Sequence, residues 1–325
     1  MAKLTVSLSP HFQNPVTTRV LMNDVLIALA PAVLVSLLFY GWNFFMLLMV
    51  SVATCIACEF VIENYLLGKD IPSISATCLT GVLLALNLPP AAPWWVAFLG
   101  SIAAIGIAKM CFGGLGQNIF NPAIFGRVFL LVSFPAVMTT WAAPAGWLGV
   151  DAFSGATPLA AINEGLRQGI PASQIIADNN LSGWHMLFAR AGGSAGEVSA
   201  LALILGFVYL LIKKVIRPHI PLAILGTVVV LTSIFSLINP DQFTGPLFNL
   251  FTGGLLLGAI FMATDYVTSP MAPLGMIIYG VLIGLLTVLI RYFGSYPEGV
   301  SFAILLGNMA TPLINKYCKP RRFAA

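Results

Sequence analysis

Apolar runs of about 20 residues, parted by short polar breaks, recur along nearly the whole chain, and each can cross a hydrocarbon core of about 30 Å as a helix. Ten can be read, at approximately 24–40, 43–67, 74–90, 93–113, 119–140, 197–216, 219–238, 247–263, 273–291 and 299–317. The third and eighth are short and glycine-rich. One polar stretch, 141–196, is long, and it divides the runs into five and five. The pattern predicts an all-α polytopic membrane protein. It has an N-terminal segment at 1–23, a five-helix unit at 24–140, a loop at 141–196, a second five-helix unit at 197–317 and a basic tail at 318–325.

The two units echo each other. Thr80-Gly81-Val82-Leu83-Leu84 and then Asn118-Ile119-Phe120-Asn121-Pro122 stand in the first; Thr252-Gly253-Gly254-Leu255-Leu256 and then Asn308-Met309-Ala310-Thr311-Pro312 stand in the second. Five is an odd number of spans, so the second unit enters the membrane from the opposite side, as an inverted repeat that builds sites near the midplane from broken helices. Asn or Thr directly before Pro reads as an N-cap followed by an N1 proline, so a helix is expected to start at each. A helix start at membrane depth exposes backbone N–H groups, which persist only against protein, water or a ligand. Asn118 and Asn121 are thus candidate ligand contacts in the inner half of the membrane, against the plainer reading of asparagines that satisfy a helix break.

Composition agrees: 59% of the residues are hydrophobic and 8% charged, where a soluble domain carries roughly 25% charged residues. Of 15 lysines and arginines, eleven fall on the side of the N-terminus, three (Arg167, Arg190 and Arg291) on the other, and Arg127 within a span. The positive-inside rule then puts both termini in the cytoplasm and 141–196 on the outer face of the membrane. The net charge of +4 is absorbed by these inner-face cations, so the expected surroundings are membrane lipid and protein, with no nucleic acid. No cleavable signal peptide is expected, because Met1–Asn23 is polar. Cys55-x-x-Cys58 shares one helix face; without a second pair or a nearby histidine it reads as helix packing rather than metal ligation.

The polar stretch carries the candidate chemistry. Residues 151–158 read D-A-F-S-G-A-T-P. Asp151, Ser154, Gly155, Ala156 and Thr157 resemble the sequence at which a flavin transferase attaches FMN to a threonine through the flavin's phosphate. Thr157 supplies a weak hydroxyl nucleophile that needs an external activator; the alternative is a Ser/Gly surface turn. Of the acidic residues, Glu59, Glu63 and Asp265 fall in or at the inner ends of spans, where ionisable groups usually belong to ion pathways or internal pairs; Glu63 and Asp265 are the candidates for an ion path. Asp265 can equally cap the segment after it. Arg127 is placed to counter an anionic ligand or a lipid headgroup.

Taken in order, G-Q-N-I-F-N-P-A at 116–123, D-A-F-S-G-A-T at 151–157 and F-M-A-T-D at 261–265 resemble the RnfD family, the sister of NqrB. The resemblance runs from Ser9-Pro10-His11 to the last span. It implies an electron-transfer subunit of an ion-translocating ferredoxin:NAD oxidoreductase of the Rnf type. It also implies covalent FMN on Thr157 and non-covalent riboflavin toward the inner side near Asn118 and Asn121. The partners it implies are the other Rnf-type subunits, among them an FMN-bearing outer-side subunit and iron–sulfur and NAD-binding subunits. Neither a G-x-G-x-x-G fingerprint after a strand nor four-cysteine cluster ligation is present here, which leaves those cofactors to partners. Inversion would put Asn308 and Thr311 toward the outer half, as a floor for the FMN site. The competing reading is a polar-solute channel or transporter, because five-plus-five inverted repeats also build urea transporters.

Overall fold

The computed structural model describes residues 17–66, 68, 74–141, 157–178, 193–294 and 298–319. All regular structure among them is helical. Three helices are long and apolar enough to cross a membrane: Thr18–Leu66, His219–Ile238 and Pro273–Phe293. Shorter apolar helices lie at Ile74–Asn87, Trp94–Met110, Pro122–Ser133 and Ala200–Ile212. The attachment-motif residues Asp151, Ser154, Gly155 and Ala156 lie outside the described residues.

The first helix, α1 (Thr18–Val61), is broken at Gly41, whose φ of 58° and ψ of −134° no side-chain-bearing residue adopts at ease. The chain turns back there. Met22 and Val25 line the same cavity as Lys109, and Lys109 pairs with Glu59 at the far end of α1. Ser36 instead donates to Ala195 O, and Leu47 packs with Leu88; Ala195 N in turn donates to Leu88 O. In a straight helix Val25 and Glu59 would stand about 50 Å apart, at 1.5 Å per residue. The two expected runs 24–40 and 43–67 are therefore the two arms of this bend.

Helix α2 (Ile74–Asn87) packs along the second arm in the opposite direction, with Thr77 donating to Glu59 and Ser51 to Gly81 O (2.9 Å). α3 (Trp94–Ile102) continues as a π-helix over Ala103–Met110, and α4 (Pro122–Ser133) follows after a glycine-rich turn and leads into the single turn α5 (Pro135–Met138). The stretch expected to be a loop is partly folded: α6 (Pro158–Arg167) and α7 (Ala172–Asp178) close a small core of Leu159, Ile162, Ile175 and Phe248.

In the second unit, α8 (Ala200–Ile212) lies against the first arm, where Tyr209 donates to Asp24 (3.0 Å). α9 (His219–Ile238) and α12 (Pro273–Phe293) run side by side in the same direction. A methyl group at Gly280 or Gly284 would collide with Ala223 or Thr227, so these glycines let the two backbones close up. Between them α10 (Pro246–Phe251) and the turn α11 (Leu255–Leu257), extended by a π-turn at Gly258–Met262, are parted by Gly253 and Gly254, both at positive φ. The last helix, α13 (Val300–Tyr317), is continuous.

The two copies of each repeated pattern differ in local structure. Thr80-Gly81 is helical, whereas Thr252-Gly253-Gly254 is a break. Asn121-Pro122 starts α4, whereas Pro312 lies inside α13, so the expected helix start at Thr311 does not form. Thr311 Oγ1 instead bonds Thr268 O (2.9 Å) and its own helix at Gly307 O (3.2 Å).

Gly41→Ala is expected to lower the thermal unfolding midpoint of the detergent-purified chain, since forcing a side chain into that backbone region costs about 1–3 kcal/mol. Gly226→Ala, in open space within α9, serves as the control and should leave the midpoint unchanged or raise it.

Candidate functional site

Two polar layers occupy opposite ends of the same helices. The first surrounds a cavity whose wall includes Thr80, Lys109, Asn118, Asn121, Thr264 and Asp265. Both expected asparagines therefore reach one cavity together with Asp265. Asn121 is an N-cap: its Oδ1 accepts from Ala123 N (3.0 Å) and Ile124 N (3.3 Å), and its Nδ2 donates across to Met262 O (3.0 Å). Its carboxamide thus starts α4 and ties the two halves together. Asn118 Nδ2 donates to Phe120 O (3.0 Å). The Asp265 carboxylate accepts from Thr268 Oγ1 (3.1 Å) and from the backbone of the turn at 266–268, which is the capping geometry.

Lys109, expected near the inner-face end of the fourth run, is 2% exposed. Its Nζ lies 2.6 Å from Glu59 Oε2 and 3.2 Å from Thr77 Oγ1. Glu63 is buried one turn further along the same face. Cys55 packs with Ile105 and Met110, in keeping with a packing role.

The second layer is a group of buried charges. Arg127 pairs with Glu298 and donates to Asn87 Oδ1 (2.6 Å), so it counters a carboxylate of the protein itself rather than a headgroup. Arg291, expected in an outer loop, is buried, and it donates to the carbonyls of Asn249 (2.7 Å), Thr252 (2.7 Å) and Gly253 (3.2 Å). It thereby fastens the break between α10 and α11. Its Nε is buried without a hydrogen-bond partner among the described residues. Glu197, partly buried, accepts from Ser194 Oγ (2.5 Å) and lies beside Gly254.

Thr157 meets this layer. It is 3% exposed and forms the N-cap of α6, its Oγ1 accepting from Ala160 N (3.1 Å). That corrects the expectation of a lightly packed loop residue. A small cavity joins Thr157 and Pro158 to Glu197, Phe251, Thr252 and Gly253. The residues that face Thr157 across this cavity thus come from the start of the break, at Thr252 and Gly253. Asn308 and Thr311 lie elsewhere: Asn308 Oδ1 accepts from Tyr279 (2.7 Å), and Thr311 rests on the turn that Asp265 caps.

The layers are joined by the helices that carry them. Gly254 touches the second layer and Thr264 the first, and the helical stretch Leu255–Met262 joins them. α2 carries Thr80 in one layer and Asn87 in the other; α4 carries Asn121 and Arg127.

The sequence matches the NQR2, RnfD, RnfE family over residues 5–324. The chain belongs to this family. It is 42% identical to a subunit of the Na(+)-translocating ferredoxin:NAD(+) oxidoreductase complex of Acetobacterium woodii, covering 98% of this chain and 94% of that one. It is also 42% identical to a subunit of the ion-translocating oxidoreductase complex of Stutzerimonas stutzeri (93% and 91% covered) and 36% identical to its namesake in Aliivibrio salmonicida (98% and 97%). As a member of the NQR2, RnfD, RnfE family, it is a multi-pass membrane subunit of an ion-translocating oxidoreductase complex.

In this family member, sequence reading missed Asn87, Glu197, Arg291 and Glu298 as site residues. Each stands at the edge of an apolar run, where a polar residue is routinely taken for a flank of the span. The one signal within reach was that Glu197 opens one run and Glu298 immediately precedes another.

Arg127→Ala is expected to destabilise the fold by about 3–5 kcal/mol, because it strands a buried carboxylate. The double variant Arg127→Met/Glu298→Leu should lose much less, as read by thermal unfolding in detergent. Asn121→Ala, which removes a helix cap, should cost about 1 kcal/mol on the same assay.

Proposed function

We propose that this chain is a two-flavin relay, with FMN esterified to Thr157 and riboflavin held in the cavity walled by Thr80, Asn118 and Asp265. The observation that carries this reading is that the hydroxyl ending D-A-F-S-G-A-T and the Asn118 cavity lie at opposite ends of one segment, 254–264. The residues at Thr157 fit a phosphoester. A phosphate there would sit at the N-terminus of a ten-residue helix, where backbone N–H groups and the helix dipole favour an anion. The buried Arg291 guanidinium lies close by, against Gly253 and Leu159. The inner cavity fits an uncharged ribityl flavin: its wall is mostly apolar with a few polar side chains, the usual make-up of a cofactor site. Asn118 is the better flavin contact of the two asparagines, since Asn121 is engaged on both sides of its carboxamide. In this reading Thr157 becomes enclosed by α6 after the flavin transferase has acted.

When bound, the flavins supply one- and two-electron transfer. The chain contributes the tether at Thr157, the walls of the two sites and the low-dielectric helices between them. It spans the membrane ten times as two inverted five-helix units, with both termini cytoplasmic and Thr157 outside. Electrons pass between ferredoxin- and NAD-linked partner subunits, including an FMN-bearing outer-side subunit, and drive export of sodium ions or protons. Glu63 and Asp265 are the carboxylates placed to serve an ion path.

Mass spectrometry of the peptide from Asp151 to Arg167 should find FMN on Thr157 when the chain is made with its flavin transferase. Thr157→Ala should remove the fluorescent band from a denaturing gel while acid-releasable riboflavin remains. A colourless wild-type protein would return the chain to the solute-channel reading. A reporter fused after Ala325 should be active in the cytoplasm and one inserted near Ser173 outside it.

A further inference from the structure

We propose that the backbone carbonyls of Asn249, Thr252 and Gly253 form a site for a monovalent alkali cation, filled in this chain by the guanidinium of its own Arg291. The proposal goes beyond the two-flavin reading and does not depend on it. The three carbonyls lie where α10 ends and α11 has yet to begin. A helix C-terminus leaves carbonyls without intrahelical donors, and its partial negative charge favours a cation. Arg291 answers all three. Its Nη1 lies 2.7 Å from Asn249 O, and its Nη2 lies 2.7 Å from Thr252 O and 3.2 Å from Gly253 O. A methyl group at Gly253 would stand 2.7 Å from Nη2, so the backbone there is shaped around the cation.

Neutral oxygens hold this charge. Among the described residues no carboxylate lies within ion-pair distance of the guanidinium. Transporters with interrupted helices hold sodium in the same manner, through unwound backbone carbonyls. Asn249, which supplies one of the three carbonyls, also carries a spare acceptor: its Oδ1 is buried and has no donor among the described residues. Charge balance asks for one cation here. Arg127 and Arg291 share the layer with Glu197 and Glu298, two charges of each sign, and without the guanidinium one buried negative charge is left over. A surface groove between α6 and the end of α12, walled by Asn163, Glu164, Arg167 and Tyr292, reaches Arg291 and supplies a route in. Arginine keeps its charge at any working pH, so the occupant never neutralises. The tethered guanidinium keeps this end of the bundle closed to the ion.

The test uses the full chain expressed without a flavin transferase, so that no phosphate stands near Arg291, and follows thermal unfolding in detergent. Sodium, potassium and choline chlorides are compared at one ionic strength. Arg291→Ala should unfold below wild type in choline. Sodium or potassium should then raise its midpoint, by about 2–4 °C for each tenfold rise in concentration above the dissociation constant. The wild-type midpoint should be the same in all three salts. A side chain that merely clasped the break would leave a variant equally unstable in each. If Arg291→Ala does not fold, Arg291→Gln, which keeps one N–H donor group for the carbonyls, is read in the same way. A variant indifferent to alkali cations overturns the proposal, as does an equal response in wild type. So does a variant restored only by millimolar guanidinium chloride, which would make the carbonyls a fit for guanidinium alone. Each of these results leaves the flavin assignments untouched.

Discussion

A charge removed from water must find its opposite, and in this chain that requirement shapes the fold. Arg127 is buried in the middle of α4, and its guanidinium reaches Asn87 from the same half and Glu298 from the other. Lone ions of this kind are expensive at membrane depth. Paired between the two halves of the chain, they dictate where α13 must begin and how closely α2 and α4 must approach. The apolar surfaces supply most of the contact area, but they are permissive about register. The paired charges are not.

From that constraint the two-layered arrangement follows. Each helix that joins the layers carries one polar group at each end and apolar residues between. Thr80 and Asn87 bracket a buried stretch of α2, and Asn121 and Arg127 bracket part of α4. The π-turns at 103–110 and 258–262 fall in these same connecting segments. Such turns are frequent at functional sites, because the extra residue re-aims the side chains that follow. Here they deliver Lys109 to the cavity wall and Met262 O to Asn121.

Much of this was legible in the sequence, and the parts that were not have physical reasons. Asn121-Pro122 announced a helix start because cap and N1 proline are local chemistry, and α4 begins there. The same pattern at Thr311-Pro312 failed. Thr311 finds acceptors in Thr268 O and Gly307 O, so tertiary packing carries α13 through the proline. Apolar periodicity located the long apolar helices, and the two runs it separated at 41–42 meet at the break at Gly41, where no polar loop marks it. Partners lay beyond reach. Lys109 and Arg291 looked like charges flanking spans, since nothing local reveals Glu59, 50 positions earlier, or the carbonyls of Asn249 and Thr252. Likewise Thr157 lies in a polar stretch, and its burial depends on Phe251 and Gly253, distant in the chain.

The bond from Asn121 to Met262 O and the pair of Arg127 with Glu298 also bear on how the molecule can move. In many membrane transporters one helical bundle rocks against another about a central site. Here the central contacts are polar, buried and shared between the bundles. Rocking would strand a guanidinium and a carboxylate, a penalty of about 3–5 kcal/mol for the one pair, and would open the cap of α4. The halves are riveted. Relative movement of the two halves therefore carries a cost that movement of a single side chain or short turn does not.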